Sequence, residues 1–351
     1  MTPAEPGLPE LTTVTDTEAV FFVPAGAETG MATEVRRHDG LDPDTGYELE
    51  GTGFRTLPRP PGELLCRVAT VNDLHFGEIE AGHLAELPVG PVLRSEPGED
   101  PYPEVMNAAA AAEIAAVEPD LVVAKGDLSD AGAAADLSAF SRCYSGFAGR
   151  LVTIPGNHDV AGGAPGGPLS PGLPARVDLP GVTVALLDTT ILRWHTGRVP
   201  ADQLEWLDEV GAGADRPVLV MGHHHAWGPG SNSRPAGYFG INPDDSEALV
   251  ALFARRPRLA AYLAGHTHRN RVRRFAATGP VPWVEVASVK EFPGCWAEYR
   301  VYEGGILQIV HRISAPAALA WTERTRALFG GLFPGYAFGQ LGDRCLRVTG
   351  P

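Results

Sequence analysis

Five stretches of the chain are apolar at nearly every position: residues 68–71, 121–124, 151–154, 218–221 and 259–263. Runs this short predict strands buried on both faces, as in the parallel sheet of an α/β protein. Helical patterning fills the intervals. Residues 103–117 are Ala-rich and closed by Pro119, residues 135–147 form a second candidate, and residues 202–210 a third. Asp244-Asp245-Ser246 is placed to cap a fourth helix that runs through Arg255 and stops at Pro257. Residues 11–14, 18–23 and 34–37 read as further strands, ahead of a proline-stiffened linker at 58–62. Residues 283–287 and a hairpin over Glu303-Gly304-Gly305 are expected to close a second sheet, and 315–351 reads as a helix plus an irregular tail. The expected organisation is an N-terminal β-rich segment with its linker (1–62), a central α/β domain (63–314) and a C-terminal extension (315–351). Two Gly/Pro-rich loops, 161–180 and 228–243, are expected to rim a site at the strand ends.

Composition narrows the partners. The 351 residues carry 43 acidic against 28 basic side chains, a formal charge of −15, which disfavours stable nucleic-acid binding. Among the basic residues only Lys125 and Lys290 are lysines. Cys66, Cys143, Cys295 and Cys345 are scattered, with no Cys-x-x-Cys pair, and read as reduced thiols. The stretch Met1-Thr2-Pro3-Ala4-Glu5-Pro6 has neither a basic nor an apolar leader region, and no run is long and apolar enough to span a bilayer. A cytoplasmic protein without a membrane partner is expected; the oligomeric state is not legible.

The chemistry sits directly behind the apolar runs. Asp73-Leu74-His75, Gly126-Asp127, Gly156-Asn157-His158-Asp159, Gly222-His223-His224 and Gly265-His266-Thr267-His268 each follow one of the five. Singly these are weak: a lone His at a strand end is more often a hydrogen-bonded structural residue, and Gly-Asn more often a turn. Together they place carboxylates, an amide oxygen and imidazoles where an α/β sheet gathers its active site. That donor set suits divalent first-row metals.

The order and types of these motifs resemble the calcineurin-like metallophosphoesterase family, over roughly residues 68–290. The resemblance implies a two-sheet β-sandwich core flanked by helices. It implies two divalent ions (manganese, iron or zinc), one held by Asp73, His75, Asp127 and His268, the other by Asp127, Asn157, His223 and His266. In an extended segment residues i and i+2 point the same way, so Asp73 with His75, and His266 with His268, are each expected to aim together. His158 is then expected to face substrate and protonate the leaving oxygen, paired with Asp130, or alternatively with Asp159, whose more natural role is structural. Asn157 and His158 are substrate contacts in this scheme. His224 either reaches the phosphate or faces solvent. His225 stands where relatives often carry Pro, and His223, first after its strand, is the preferred ligand of the three. Residues 8–57 resemble a truncated fibronectin type III-like sandwich of the kind some phosphoesterases place before the catalytic domain. Residues 1–62 hold no ligand candidate and end in the proline-stiffened linker, so they are expected to be dispensable for chemistry.

One departure bears on substrate. Phosphoprotein phosphatases of this superfamily continue Gly-Asp-x-x-Asp with an Arg that grips a phosphate dianion, whereas Asp130 is followed by Ala131-Gly132. The expected activity is therefore hydrolysis of a small phosphodiester, of cyclic nucleotide or glycerophosphodiester type, by attack of a water acidified between the metals. The alternatives are a phosphomonoesterase, with Arg193, Arg234 or Arg269 supplying the missing contact, and a non-catalytic metal-binding regulatory module.

Overall fold

A stretch apolar at every position fits a strand covered on both faces, and one that alternates fits a strand with one wet face. Both kinds occur in a computed structural model of the chain, which describes residues 8–24, 33–83, 89–162 and 172–348. The first strands, β1 (Glu10–Val14), β2 (Glu18–Pro24) and β3 (Thr33–Asp39), form an antiparallel sheet, and β4 (Gly46–Leu49) with β5 (Thr52–Arg55) forms a hairpin.

The chain then winds through β6 (Leu64–Val71), α1 (Tyr102–Ala116), β7 (Leu121–Lys125), α2 (Ala134–Cys143) and β8 (Leu151–Ile154), with the three strands parallel. It continues through β9 (Ala175–Leu179), β10 (Val182–Leu186), α3 (Ala201–Gly213), β11 (Val218–Met221), α4 (Pro243–Arg255), β12 (Leu259–Ala264), β13 (Arg271–Arg273) and β14 (Trp283–Glu285). These strands make a second sheet in the order β13-β14-β12-β11-β10-β9. A hairpin of β15 (Cys295–Tyr302) and β16 (Gly305–Arg312) leads to α5 (Pro316–Thr325), α6 (Phe333–Ala337), α7 (Leu341–Arg344) and β17 (Cys345–Val348). The first sheet thereby reads β17-β16-β15-β6-β7-β8.

Alternate residues of each buried strand serve different layers. Val68, Leu121 and Val123 join Leu219, Met221, Ala261 and Leu263 in the core between the sheets. Their neighbours Ala69, Val71, Val122 and Ala124 face Met106, Ile114 and Phe140 of α1 and α2. On the far side Val218, Val220, Leu259 and Tyr262 pack against Leu207, Leu249 and Phe253 of α3 and α4. The result is the expected two-sheet core flanked by helices.

Several expectations need correction. The hairpin over Glu303-Gly304-Gly305 extends the first sheet, not the second, because β15 pairs antiparallel with β6. Within the described residues the tail is not irregular after its first helix: it forms α6, α7 and β17, which pairs with β16 as an edge strand. The 161–180 segment is not loop throughout, since Ala175–Leu179 pairs with β10; its residues 163–171 lie outside the described residues. The cap of α4 is Asn242, whose side chain accepts the Asp245 N–H. Pro243, lacking an N–H, takes the first helical position, which moves the cap two residues ahead of the acidic run. Among the described residues no helix is long and apolar enough to cross a membrane.

The N-terminal sheet is fastened to the central domain. Thr13 Oγ1 donates to the Val310 carbonyl at 2.7 Å, and Arg344 donates to the carbonyls of Leu11 and Thr12. Glu10 accepts from Arg312 at 3.1 Å and from Arg326 at 2.9 Å, and the buried Arg312 guanidinium lies over the Phe22 ring at 4.4 Å. Removing the Glu10 carboxylate leaves Arg312 with Glu323 as its remaining anionic partner. Glu10→Ala is therefore expected to lower stability by about 1–3 kcal/mol, less than for a pair left wholly unneutralised. A urea melt reads this directly, and an unchanged midpoint would show that the contact contributes nothing.

Candidate metal centre

Each motif lies just beyond the C-terminal end of a strand, and parallel pairing brings those ends together. Asp73 and His75 follow β6, Asp127 follows β7, Asn157 and His158 follow β8, His223 follows β11, and His266 and His268 follow β12. Main-chain bonds lace the loops: the Asp127 carbonyl accepts the N–H groups of Leu74 (2.8 Å) and His75 (2.9 Å). Across the sheets, Lys125 Nζ donates to the Ala264 carbonyl at 2.8 Å. His223 Nδ1 donates to the Lys125 carbonyl, also at 2.8 Å. A carbonyl only accepts, so His223 carries a proton on Nδ1 and turns Nε2 to Asp127 Oδ2 (3.3 Å) and Asn157 Oδ1 (3.2 Å).

The backbone does not aim these side chains as an extended segment would. Asp73 (φ 54°), His75 (49°), Asp127 (50°), His266 (67°) and His268 (52°) all adopt left-handed conformations. Each is disfavoured for an L-residue by roughly 1–2 kcal/mol. Asp73 and His75 do converge, but through two left-handed residues rather than a strand pleat. Gly126 and Gly156 allow the close approach: a Cβ at Gly126 would collide with the His223 ring, and one at Gly156 with the Asp127 carboxylate.

The donors fall into neighbouring groups. Asp73, His75, Asp127 and His268 place ligand atoms within 4.8 Å of one another, as do His223, His224 and His266, and a third group joins His75, Asp130 and His158. Asp127 stands between the first two, its Oδ2 being 3.6 Å from His75 Nε2 and 3.3 Å from His223 Nε2. Both carboxylates are sealed from water, Asp73 at 0% and Asp127 at 2% exposure. Burial works against their charge, but His268 and His223 outweigh it, holding Asp73 down at about 2 and Asp127 well below its ordinary range. His268, despite burial, is raised to about 10 by Asp73 and Glu291.

Imidazolium here does what a cation would do, and other donors have nothing to do at all. Nδ1 and Nε2 of His75, and Nε2 of His224 and of His266, are buried with no hydrogen-bond partner among the described residues. A buried polar atom left so costs about 1–3 kcal/mol. Sealed carboxylates beside idle imidazole nitrogens are the donor set of a divalent first-row cation, so the residues present fit such ions.

His158 differs from the rest in being 39% exposed. Its backbone N–H donates to Asp127 Oδ1 at 2.9 Å, and Nδ1 donates to the main-chain carbonyl of Asp130 at 2.7 Å, with Asp130 Oδ1 at 3.5 Å. Asp130 thus meets His158 mainly through its backbone. Burial opposes the charge on His158, but Asp127 and the Asp130 bonds raise it to about 9. Asp159 accepts from the N–H groups of Leu128, Ser129 and Gly156, and so braces the Asp127 loop against the Asn157 loop.

The three consecutive histidines part ways. His223 lies on Asp127; His224 is fully buried, with Nδ1 bonded to Thr189 Oγ1 at 2.8 Å, and does not face solvent; His225 bonds the Tyr238 hydroxyl at 2.9 Å. Of the arginines considered from sequence, Arg234 pairs with Asp244 and Glu247, and Arg269 with Glu285. Arg193 is exposed and, among the described residues, makes no ion pair.

Sequence reading missed Glu291, which takes the Nδ1 hydrogen bond of His268 and leaves Nε2 turned to Asp73 Oδ1 at 3.5 Å. It missed Thr189 and the roles of the two lysines: Lys125 is buried under the site, and Lys290 pairs with Glu78 at 2.6 Å beside it. The legible clue was an isolated Lys-Glu pair, Lys290-Glu291, just past an apolar strand. Phe239, in the expected rim loop, stacks on His266 with ring centroids 4.0 Å apart.

The chain shares 33% identity over 157 residues with the 3',5'-cyclic adenosine monophosphate phosphodiesterase CpdA of Pseudomonas aeruginosa, covering 43% of this chain and 55% of that protein. It shares 27% over 160 residues with a probable cyclic nucleotide phosphodiesterase of Synechococcus, covering 43% of this chain and 58% of that protein. The chain thus spans a little over half the length of these relatives. A dimetal phosphatase from Danio rerio has a similar fold, with a TM-score of 0.58 at 13% identity, over 82% of this chain and all of that one. The family model for calcineurin-like phosphoesterases matches residues 66–270, from the strand before Asp73 to just past His268, and the chain belongs to that family.

Proposed function

We propose that the chain is a divalent-metal-dependent phosphodiesterase with two adjacent metal ions and a small diester as substrate. The observation that carries this reading is Asp127, one buried carboxylate within 3.6 Å of imidazole nitrogens from both donor groups. Asp73, His75, Asp127 and His268 would hold one ion, and Asp127, Asn157, His223 and His266 the other. Bound ions of this kind, manganese, iron or zinc, supply an acidified water and neutralise phosphoryl oxygens. The protein's own groups do the rest. Glu291 fixes the His268 ring, the Lys125 carbonyl fixes His223, and Asp159 holds the loops in register. His158, with Nδ1 committed to Asp130, keeps Nε2 for the leaving oxygen, to which it delivers a proton. The activity in the relatives' names favours a cyclic nucleotide over a glycerophosphodiester. A phosphomonoesterase is the second reading, favoured by the uncommitted Arg193 near the His158 loop, its N–H on the Val160 carbonyl.

Activity is expected to vanish on chelation and return with manganese, iron or zinc, since a donor set is present and no covalent nucleophile motif is in view. Full turnover by a demonstrably metal-free preparation would rule the mechanism out.

Asp127→Ala is expected to reduce the content of both metals. His158→Ala is expected to leave metal content near normal while slowing turnover roughly 10²–10⁴-fold. Loss of metal from the His158 variant would overturn the division between ligand and acid.

A monoester dianion rewards a fixed Arg, whereas two cations suffice for a diester's single charge. The value of kcat/KM on bis-nitrophenyl phosphate is therefore expected to equal or exceed that on the mono-nitrophenyl ester. A large preference for the monoester would promote the phosphatase reading instead.

A further inference from the structure

Phe239 lies on the candidate metal centre yet is 50% exposed, and the loop bonded to its own carries the exposed Leu192 (46%) and Trp194 (61%). They stand on two loops that the backbone stitches together. Gly197 N–H donates to the Gly240 carbonyl at 2.7 Å, and Asn242 N–H to the Gly197 carbonyl at 2.9 Å. The same pair of loops reaches the candidate metal centre twice. Thr189 bonds His224, and Phe239 lies on the His266 ring at 4.0 Å with 27° between planes. His266 is buried, so one face of Phe239 is spent on it and the half-exposed remainder looks outward. His195, exposed on the facing loop, has its ring 6.2 Å from that of Phe239 and tilted by 34°. Arg193 adds a cation with no ion-pair partner among the described residues.

We propose that Phe239 is the floor of a nucleobase subsite, with His195 as its wall; this rests on the phosphodiesterase reading and selects nucleotide over glycerol-type substrates. A flat aromatic ring anchored from below by a group of the metal centre suits a planar ligand stacking from above. A glycerol moiety has no π-face and gains little from such a ring. The phosphate of the same ligand would lie toward His158 and the buried donors, and the sugar would span the gap. Stacking is tolerant of base identity, so the subsite favours nucleotides as a class rather than one base.

The test is equilibrium binding of three probes to the manganese-loaded full chain: adenosine 5′-monophosphate, ribose 5-phosphate and inorganic phosphate. Wild type is expected to bind the nucleotide at least about tenfold tighter than ribose 5-phosphate. Phe239→Ala is expected to erase that preference while leaving inorganic phosphate and ribose 5-phosphate unchanged, and Phe239→Trp to keep it. Equal affinity of wild type for the nucleotide and ribose 5-phosphate overturns the subsite. So does a Phe239→Ala loss shared by all three probes, which would mean that the ring merely supports His266. Failure of the phosphodiesterase reading appears elsewhere, as a large preference for the mono- over the bis-nitrophenyl ester or as no turnover of either by the metal-loaded wild type, and is told apart by that measurement.

Discussion

Two carboxylates shut away from water govern this structure. Asp73 and Asp127 sit at the inner ends of β6 and β7 with essentially no solvent contact, and a buried anion is tolerable only beside positive charge. Every neighbouring choice follows from that. Imidazoles from β11 and β12 are brought against them, and Lys125 lies beneath with its ammonium on a carbonyl of the opposite sheet. Burial depresses Lys125 to about 7, so this cation contributes little fixed charge. The balance is left to the histidines and to whatever cation the idle imidazole nitrogens accept.

Assembling donors from both sheets has a conformational cost. Five of the site's non-glycine residues are held with positive φ, which by themselves they would avoid. The strain is sustained because the loops are over-determined. Asp73 accepts the His266 N–H with both oxygens at 3.0 Å, the Asp127 carbonyl takes two N–H groups, and Asp159 takes three more. Rigid sheets thus set the position of each loop, and dense local bonding sets its shape, a division that preorganises the candidate donors.

The periphery serves the same end differently. The N-terminal sheet and the C-terminal elements are joined to the central domain by buried charge, through Glu10, Arg312, Arg326 and Glu323. The tail also reaches the site's margin: the indole N–H of Trp321 on α5 donates to the Lys290 carbonyl at 2.7 Å, and the Tyr336 hydroxyl to that of Thr267 at 2.9 Å.

Much of this was legible in the chain alone, because burial on both faces of a strand leaves a mark at every position. The five apolar runs, the helices between them and the polar residues at their ends foretold an α/β core with those residues at its strand ends; its two-sheet form came from the family resemblance. The strand at Val182–Leu186 escaped notice because no motif follows it, and Ala175–Leu179 because it alternates at the sheet edge. What no local pattern could decide were relations between distant segments. That the final hairpin joins the first sheet depends on β15 finding β6, more than 220 residues earlier in the chain. Glu291 becomes the support of His268, Thr189 that of His224, and Phe239 the cover of His266 only once loops remote in sequence are folded against one another. A ligand announces itself by its residue type and its place after a strand. A residue that orients a ligand is an ordinary Glu, Thr or Phe until the tertiary structure sets it within hydrogen-bonding or stacking distance.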